Sequence, residues 1–182
     1  MKNKLIFKNI NINNNIYLLL LIMVIGGIFG FLYETIFYYF DLGYIVKRGT
    51  TFGPWIPIYA FGSLFIVLFT YKYRNNYVKV FILNCIITGL LEFLTGFILH
   101  QYFNIRLWDY NNEILNLGNI NGYICLRSVL FFGISSLLLI YIIIPYLLKI
   151  TSRVKEKYLR FISIFLFSLF ILDIILYRIL IN

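Results

Sequence analysis

The sequence predicts an all-α membrane protein, a polytopic helical bundle of five transmembrane helices. Of its 182 residues 62% are hydrophobic and only 13% are charged, which is more apolar surface than a soluble domain of this length can bury. Its long apolar runs do not alternate with polar residues, which excludes the strands of a membrane β-barrel. Two glutamates, Glu34 and Glu92, lie inside such runs, where a carboxylate costs ~2.5–3.5 kcal/mol.

Five apolar runs define the predicted helices. In chain order they are 16–40, 54–71, 80–103, 128–148 and 161–181. The second run is the shortest and begins at Pro54, a residue that suits a first helical turn. The fifth holds two charges, Asp173 and Arg178. We expect residues 1–15 to form a cytoplasmic N-terminal segment and residues 16–182 to form a single transmembrane domain.

Basic residues are distributed unequally between the two sides of the predicted bundle. The side of the N-terminus carries 11 of them and the opposite side carries 5. The first set is Lys2, Lys4, Lys8, Lys72, Arg74, Lys79, Lys149, Arg153, Lys155, Lys157 and Arg160; the second is Lys47, Arg48, Arg106, Arg127 and Arg178. The positive-inside rule predicts a multi-pass protein of the plasma membrane with a cytoplasmic N-terminus and an external C-terminus.

The same distribution argues against nucleic acid as a partner, because the basic residues flank apolar runs. Two cysteines and one histidine are too few for a zinc or iron–sulfur site built by the protein alone. We therefore predict no metal and no cofactor.

Two helix pairs of the chain resemble each other. Gly30 and Glu34 in the first helix match Gly89 and Glu92 in the third, and residues 57–64 align with residues 128–135. Such a match indicates a duplicated helix pair followed by a single helix. Apolar helices also resemble each other by chance, so both explanations stay open.

The two glutamates lie on small-residue faces in the outer half of their helices. Gly26 and Gly30 precede Glu34 at intervals of four residues, and Thr88 and Gly89 share a face with Glu92. The basic residues of the outer side, Lys47, Arg48, Arg106 and Arg127, converge on the same region. Two interpretations follow: structural ion pairs that hold loops onto the bundle, or an outward-facing polar pocket for a solute or a lipid head group.

A set of motifs from Gly30 to Gly133 carries a specific resemblance. It comprises Glu34, Arg48-Gly49, Gly53-Pro54, Pro57-Ile58-Tyr59, Gly62, Leu91-Glu92, Thr95-Gly96, Trp108-Asp109-Tyr110, Asn119, Gly122 and Ile124-Cys125-Leu126. In order and spacing the chain resembles the bacterial type IV ABC-transporter permeases, the CmpB-like membrane proteins. It departs from their pattern at several positions. Where their pattern has a second glutamate, this chain has His100. Where it has an arginine, this chain has Tyr123, and Arg127, one helical turn later, would return the positive charge to the same face.

The leading functional hypothesis is therefore a membrane subunit in solute transport. Its predicted substrate-binding residues are Glu34, Arg48, Glu92, Arg106, Trp108, Asp109 and Arg127. No P-loop occurs in the sequence, so the expected partners are membrane lipid and a separate ATPase subunit or further copies of the chain. The alternatives are a membrane-embedded enzyme acting on a lipid or envelope intermediate, with His100 as an acid, and a non-catalytic assembly subunit.

Overall fold

The computed structural model describes residues 15–181, which form five helices and no strand. They are α1 (Ile16–Leu42), α2 (Pro57–Thr70), α3 (Tyr77–Phe103), α4 (Leu126–Thr151) and α5 (Glu156–Ile181). The predicted all-α class is confirmed. The predicted N-terminal segment 1–15 lies outside the described residues except for Asn15.

Polar caps begin α1 and α3, and the second cap starts α3 three residues before the apolar run that predicted it. The side chain of Asn15 accepts a hydrogen bond from Leu18 N at 3.1 Å, and that of Asn76 accepts one from Lys79 N at 3.0 Å. Both are ordinary N-caps. The same two helices are followed by left-handed residues, Gly43 with φ +79° and Asn104 with φ +53°, which redirect the chain.

Four of the five helices are long and apolar enough to cross a membrane, and α2 is the exception. Its 14 residues extend about 21 Å, whereas the hydrocarbon core of a bilayer is about 30 Å thick. A fifth membrane-spanning helix therefore stays a prediction. The loop 43–56 leads into α2. The backbone N–H of Ile56 donates to the carbonyl of Gly27 at 3.0 Å, so this loop reaches the middle of α1 before α2 begins.

Residues from four helices meet in one apolar cluster at the end of the bundle where α1 begins. Its fully buried members are Leu18, Ile22, Val67, Val80 and Ile144. At the same end, Arg160 lies 5.8 Å from the ring of Tyr17. The loops 43–56 and 104–125 lie at the opposite end. The chain therefore reverses direction at each helix, as the predicted sidedness requires.

A single proline alters the middle of α4. Residues Leu139–Ile143 form a π-helical turn directly before Pro145. Proline has no N–H to donate to the carbonyl of Tyr141 four residues earlier, and such a gap favours a local widening of the helix. The hydroxyl of Tyr141 donates to the carbonyl of Arg74 at 2.8 Å, which fastens α4 to the turn before α3.

The two predicted helix pairs, α1–α2 and α3–α4, do pack closely. Gly30 of α1 lies directly against the ring of Tyr59 in α2. In α4, a Cβ on Gly133 would lie 2.5 Å from the sulfur of Cys85 in α3. The second members differ in length, 14 residues in α2 and 26 in α4. The duplication therefore stays a prediction.

Candidate functional site

Glu34 forms the first of three ion pairs that the described residues make at the end of the bundle with the loops 43–56 and 104–125. The Arg48 Nε atom lies 3.1 Å from Glu34 Oε2, and both side chains are largely buried. The Arg48 guanidinium also lies 3.6 Å from the ring centre of Tyr38. A buried carboxylate needs such a partner to offset its loss of hydration. The loop 43–56 thus delivers the arginine that stabilises Glu34.

Asp173 of α5 holds that loop in place. Its carboxylate accepts hydrogen bonds from Phe52 N at 2.8 Å, Gly53 N at 2.7 Å and the Trp55 indole at 2.5 Å. Trp55 packs edge-on against Phe170, which is fully buried. This role explains why a predicted transmembrane helix carries an acidic residue.

Glu113 and Arg127 form the second ion pair, at a nitrogen–oxygen distance of 2.5 Å. Tyr38 donates its hydroxyl to the same glutamate, and the Arg127 guanidinium lies 4.0 Å from the ring centre of Phe37. The sequence patterns did not single out Glu113. A signal was available, since Glu113 is one of only seven acidic residues and precedes the apolar Ile114-Leu115 in the loop 104–125.

Glu92 lacks an arginine partner. It is only 4% exposed, and its Oε1 atom accepts a hydrogen bond from the Tyr110 hydroxyl at 2.5 Å. Its Oε2 atom is buried and has no hydrogen-bond partner among the described residues, because the nearby Ser128 hydroxyl donates to the Cys125 carbonyl at 2.8 Å instead. Burial, and next the charge of Glu92, raise the pKa of Tyr110 well above its ordinary value of 10. Tyr110 is therefore a hydrogen-bond donor to Glu92 at any physiological pH.

The three glutamates line one small polar cavity of about 30 Å³, which is room for about two water molecules. Its charged and hydroxyl-bearing lining residues are Tyr33, Glu34, Tyr38, Tyr59, Glu92, Tyr110, Glu113, Arg127 and Ser128. The sequence placed Glu34 and Glu92 on separate helices, and the fold brings both to this cavity. In the described part of the chain no cluster of His, Cys, Asp and Glu is arranged to hold a metal ion.

A larger cavity of about 420 Å³ adjoins the small one. Glu34, Ile58 and Trp108 line both cavities and therefore form the wall between them. The larger cavity is otherwise lined by the loop residues Lys47 and Arg48 and by apolar residues of α2 and α3. Its volume lies in the range of pockets for small molecules.

Two predicted site residues, Arg106 and Asp109, lie outside the lining of both cavities. They pair with each other at 2.9 Å as a partly exposed ion pair, and Arg106 also donates to the carbonyl of Asn121 at 2.9 Å. Their contacts stabilise the loop 104–125. Trp108 between them does reach both cavities and donates its indole N–H to the carbonyl of Tyr123 at 2.9 Å.

His100 and Tyr123, both of which depart from the sequence pattern of the resembled proteins, lie against each other. His100 Nδ1 is 2.8 Å from the Tyr123 hydroxyl, and Gln101 donates to the same oxygen at 3.1 Å. The expectation that Arg127 returns a positive charge beside Tyr123 is wrong. Tyr123 lies before the start of α4, and Arg127 points to Glu113. The hydrogen-bonded pair of His100 and Tyr123 therefore occupies this place.

Comparison with known protein families identifies the family. Residues 21–177 match the family model described as "Putative ABC-transporter type IV". The chain belongs to this family. The comparisons with curated proteins and with solved structures found no match. Family membership and four membrane-length helices make the chain a multi-pass membrane component of an ABC-transporter family whose members work with other subunits.

Proposed function

We propose that the chain is a membrane subunit in solute transport that binds its solute from the outer side, in the larger cavity beside Glu34 and Glu92. The observation that carries the proposal is the unpartnered Oε2 atom of Glu92, buried inside a polar cavity. A polar atom with no partner in an apolar bundle is costly. A solute or the water that precedes it would supply the missing donor.

The arrangement of the two cavities supports a stepwise path. The larger cavity holds a molecule of solute size, and its wall of Glu34, Ile58 and Trp108 separates it from Glu92. A movement of the Trp108 ring would connect the two spaces. Trp108 sits against Gly96, where a Cβ would lie 3.0 Å from the indole, so the ring lies close to the backbone of α3.

The enzyme alternative loses support from the same geometry. An anion clamp needs arginines that are free to bind a substrate phosphate or carboxylate. Arg48, Arg106 and Arg127 are each paired with their own carboxylate. His100 lies against Tyr123, outside the lining of both cavities.

The energy source would be a separate ATPase subunit, since the sequence has no P-loop. We propose that the turn between α4 and α5 contacts this ATPase subunit and also anionic lipid. Three basic residues are exposed there, namely Arg153, Lys155 and Lys157. On this proposal the turn is cytoplasmic and the membrane is the plasma membrane.

A ligand screen by thermal unfolding tests the solute site. Soluble compounds that carry amino or hydroxyl groups are added to the purified full chain in detergent, and those that raise the midpoint of unfolding are retested on Glu92→Gln. We expect the shift to vanish in Glu92→Gln and to persist in Glu156→Gln, a matched change at an exposed position. Equal shifts in both variants would refute the site.

A further inference from the structure

The larger cavity contains a cation that the protein itself does not neutralise. Lys47 lines the cavity, and in the described part of the chain its ammonium group takes part in no ion pair. It lies 5.1 Å from the ring centre of Phe52 and 5.5 Å from that of Tyr177. Since Arg48 and Glu34 cancel each other, the charged groups that line this cavity leave one positive charge in excess.

Apart from Thr50 and Thr95, the rest of the cavity lining is mainly apolar, and the space continues between two helices. Phe61 and Phe65 of α2 and Leu91 and Leu99 of α3 form its walls. An adjoining space of about 600 Å³ lies between the outer ends of α3 and α5. Thr50, Leu99 and Leu107 line both spaces. The adjoining space is lined mostly by apolar residues, with Asn104 and Arg178 among them, so an acyl chain could extend from one space into the other along the apolar side chains.

We propose that the larger cavity binds an anionic lipid of the bilayer, with the head group at Lys47 and an acyl chain along the space between α3 and α5. A cation beside an apolar channel favours a molecule that has a negative head and a hydrocarbon tail. This assignment names the substrate class of the transport site and to that extent rests on the function proposed above.

Quenching of Trp108 fluorescence by brominated lipid tests the assignment, because Trp108 lines the cavity. The full chain is placed in phosphatidylcholine nanodiscs that contain increasing fractions of either phosphatidylglycerol or phosphatidylcholine with brominated acyl chains. The quenching of Trp108 itself is the difference between the quenching of the native chain and that of the Trp108→Phe variant. We expect the anionic lipid to reach half-maximal quenching at a fraction about five-fold lower than phosphatidylcholine requires, because one charge contact strengthens binding by about that factor.

Variants at Lys47 separate a charge effect from a general lipid effect. Lys47→Gln should abolish the preference for the anionic lipid, and Lys47→Arg should keep it. Lys72→Gln is the matched control, because Lys72 is also an exposed lysine next to an aromatic ring, Tyr73, at the other end of the bundle. Equal quenching by the two lipids, or a preference that survives in Lys47→Gln, would overturn the proposal.

Free head group distinguishes a lipid site from a simple anion site. An excess of glycerol 3-phosphate should leave the quenching unchanged, and its full displacement of the lipid would overturn the proposal. The solute screen on Glu92 remains independent of this result. Glu92-dependent shifts by soluble compounds without any lipid preference would refute the lipid assignment and leave the transport site in place.

Discussion

At the residue scale, the pairing of charges inside the bundle distinguishes structural side chains from a candidate functional one. Arg48 is matched to Glu34 and Arg127 to Glu113, both pairs being mostly buried. Among the described residues, Glu92 accepts a hydrogen bond only from the Tyr110 hydroxyl and takes part in no ion pair. On the function proposed above, the structural interpretation applies to Glu34 and Glu113 and the functional interpretation to Glu92.

Removing the cation of the most buried pair should destabilise the fold. Arg127→Gln leaves Glu113 buried without its counter-ion, and we expect the free energy of unfolding to fall by about 3–5 kcal/mol. Reversible unfolding in mixed detergent micelles measures the change.

Two further variants control this prediction. Arg106→Gln breaks a pair whose side chains are 32% and 37% exposed, and it should cost no more than about 1 kcal/mol. Adding Glu113→Gln to Arg127→Gln should recover part of the loss. If Arg127→Gln proves no more destabilising than Arg106→Gln, the buried pair does not stabilise the fold.

At the element scale, the loop 43–56 depends on a contact that α5 provides. Asp173→Ala would leave two backbone N–H groups and the Trp55 indole without their acceptor. We expect a loss of about 2–3 kcal/mol and faster proteolysis within the loop, measured by unfolding and by cleavage mapping. Asp41→Ala is the control, because Asp41 accepts one exposed bond at 3.2 Å. A loop that resists protease equally in both variants would contradict the assigned role.

The seam between α1 and α2 requires a glycine at one position and not at another. A Cβ on Gly30 would overlap the ring of Tyr59, whereas a Cβ on Gly62 would meet only Phe132 at 3.9 Å. Gly30→Ala should therefore destabilise the protein by about 1–3 kcal/mol. Gly62→Ala should be neutral or slightly stabilising, since alanine favours helix. The unfolding midpoints of the two variants measure the difference. Equal midpoints would show that α1 and α2 can move apart at Gly30 without loss of stability.

The sequence predicted the helices well because apolar runs and caps are local signals. It placed the start of α2 at Pro54, three residues early. The chain first makes a turn at Thr51, whose hydroxyl donates to Trp55 O at 2.6 Å, and no local sequence pattern predicts this turn. The partners of Glu113 and Asp173 were not predictable for a related reason. Tyr38 and Glu113 are 75 residues apart, and Phe52 and Asp173 are 121 apart, so only the tertiary fold joins them.

At the scale of the whole molecule, the direction of the helices makes a prediction about the membrane. The loop 104–125 should face outward and the turn 152–155 should face the cytoplasm, because basic residues favour the inner side. Single cysteines at the exposed positions Asn112 and Ser152, in a chain without Cys85 and Cys125, test this in intact cells. An impermeant thiol reagent should label position 112 only. Labelling at position 152 alone would reverse the orientation.

The account of the whole molecule as a transport subunit depends on Glu92 being functional rather than structural. The most direct measurement uses the proposed complex with a separate ATPase subunit, reconstituted in liposomes, and compares the native chain with Glu92→Gln in two quantities. They are the substrate-stimulated rate of ATP hydrolysis and the midpoint of thermal unfolding. We predict loss of the stimulation with an unfolding midpoint within a few degrees of native. Full stimulation in a folded Glu92→Gln complex, or a collapse of its stability, would contradict the account.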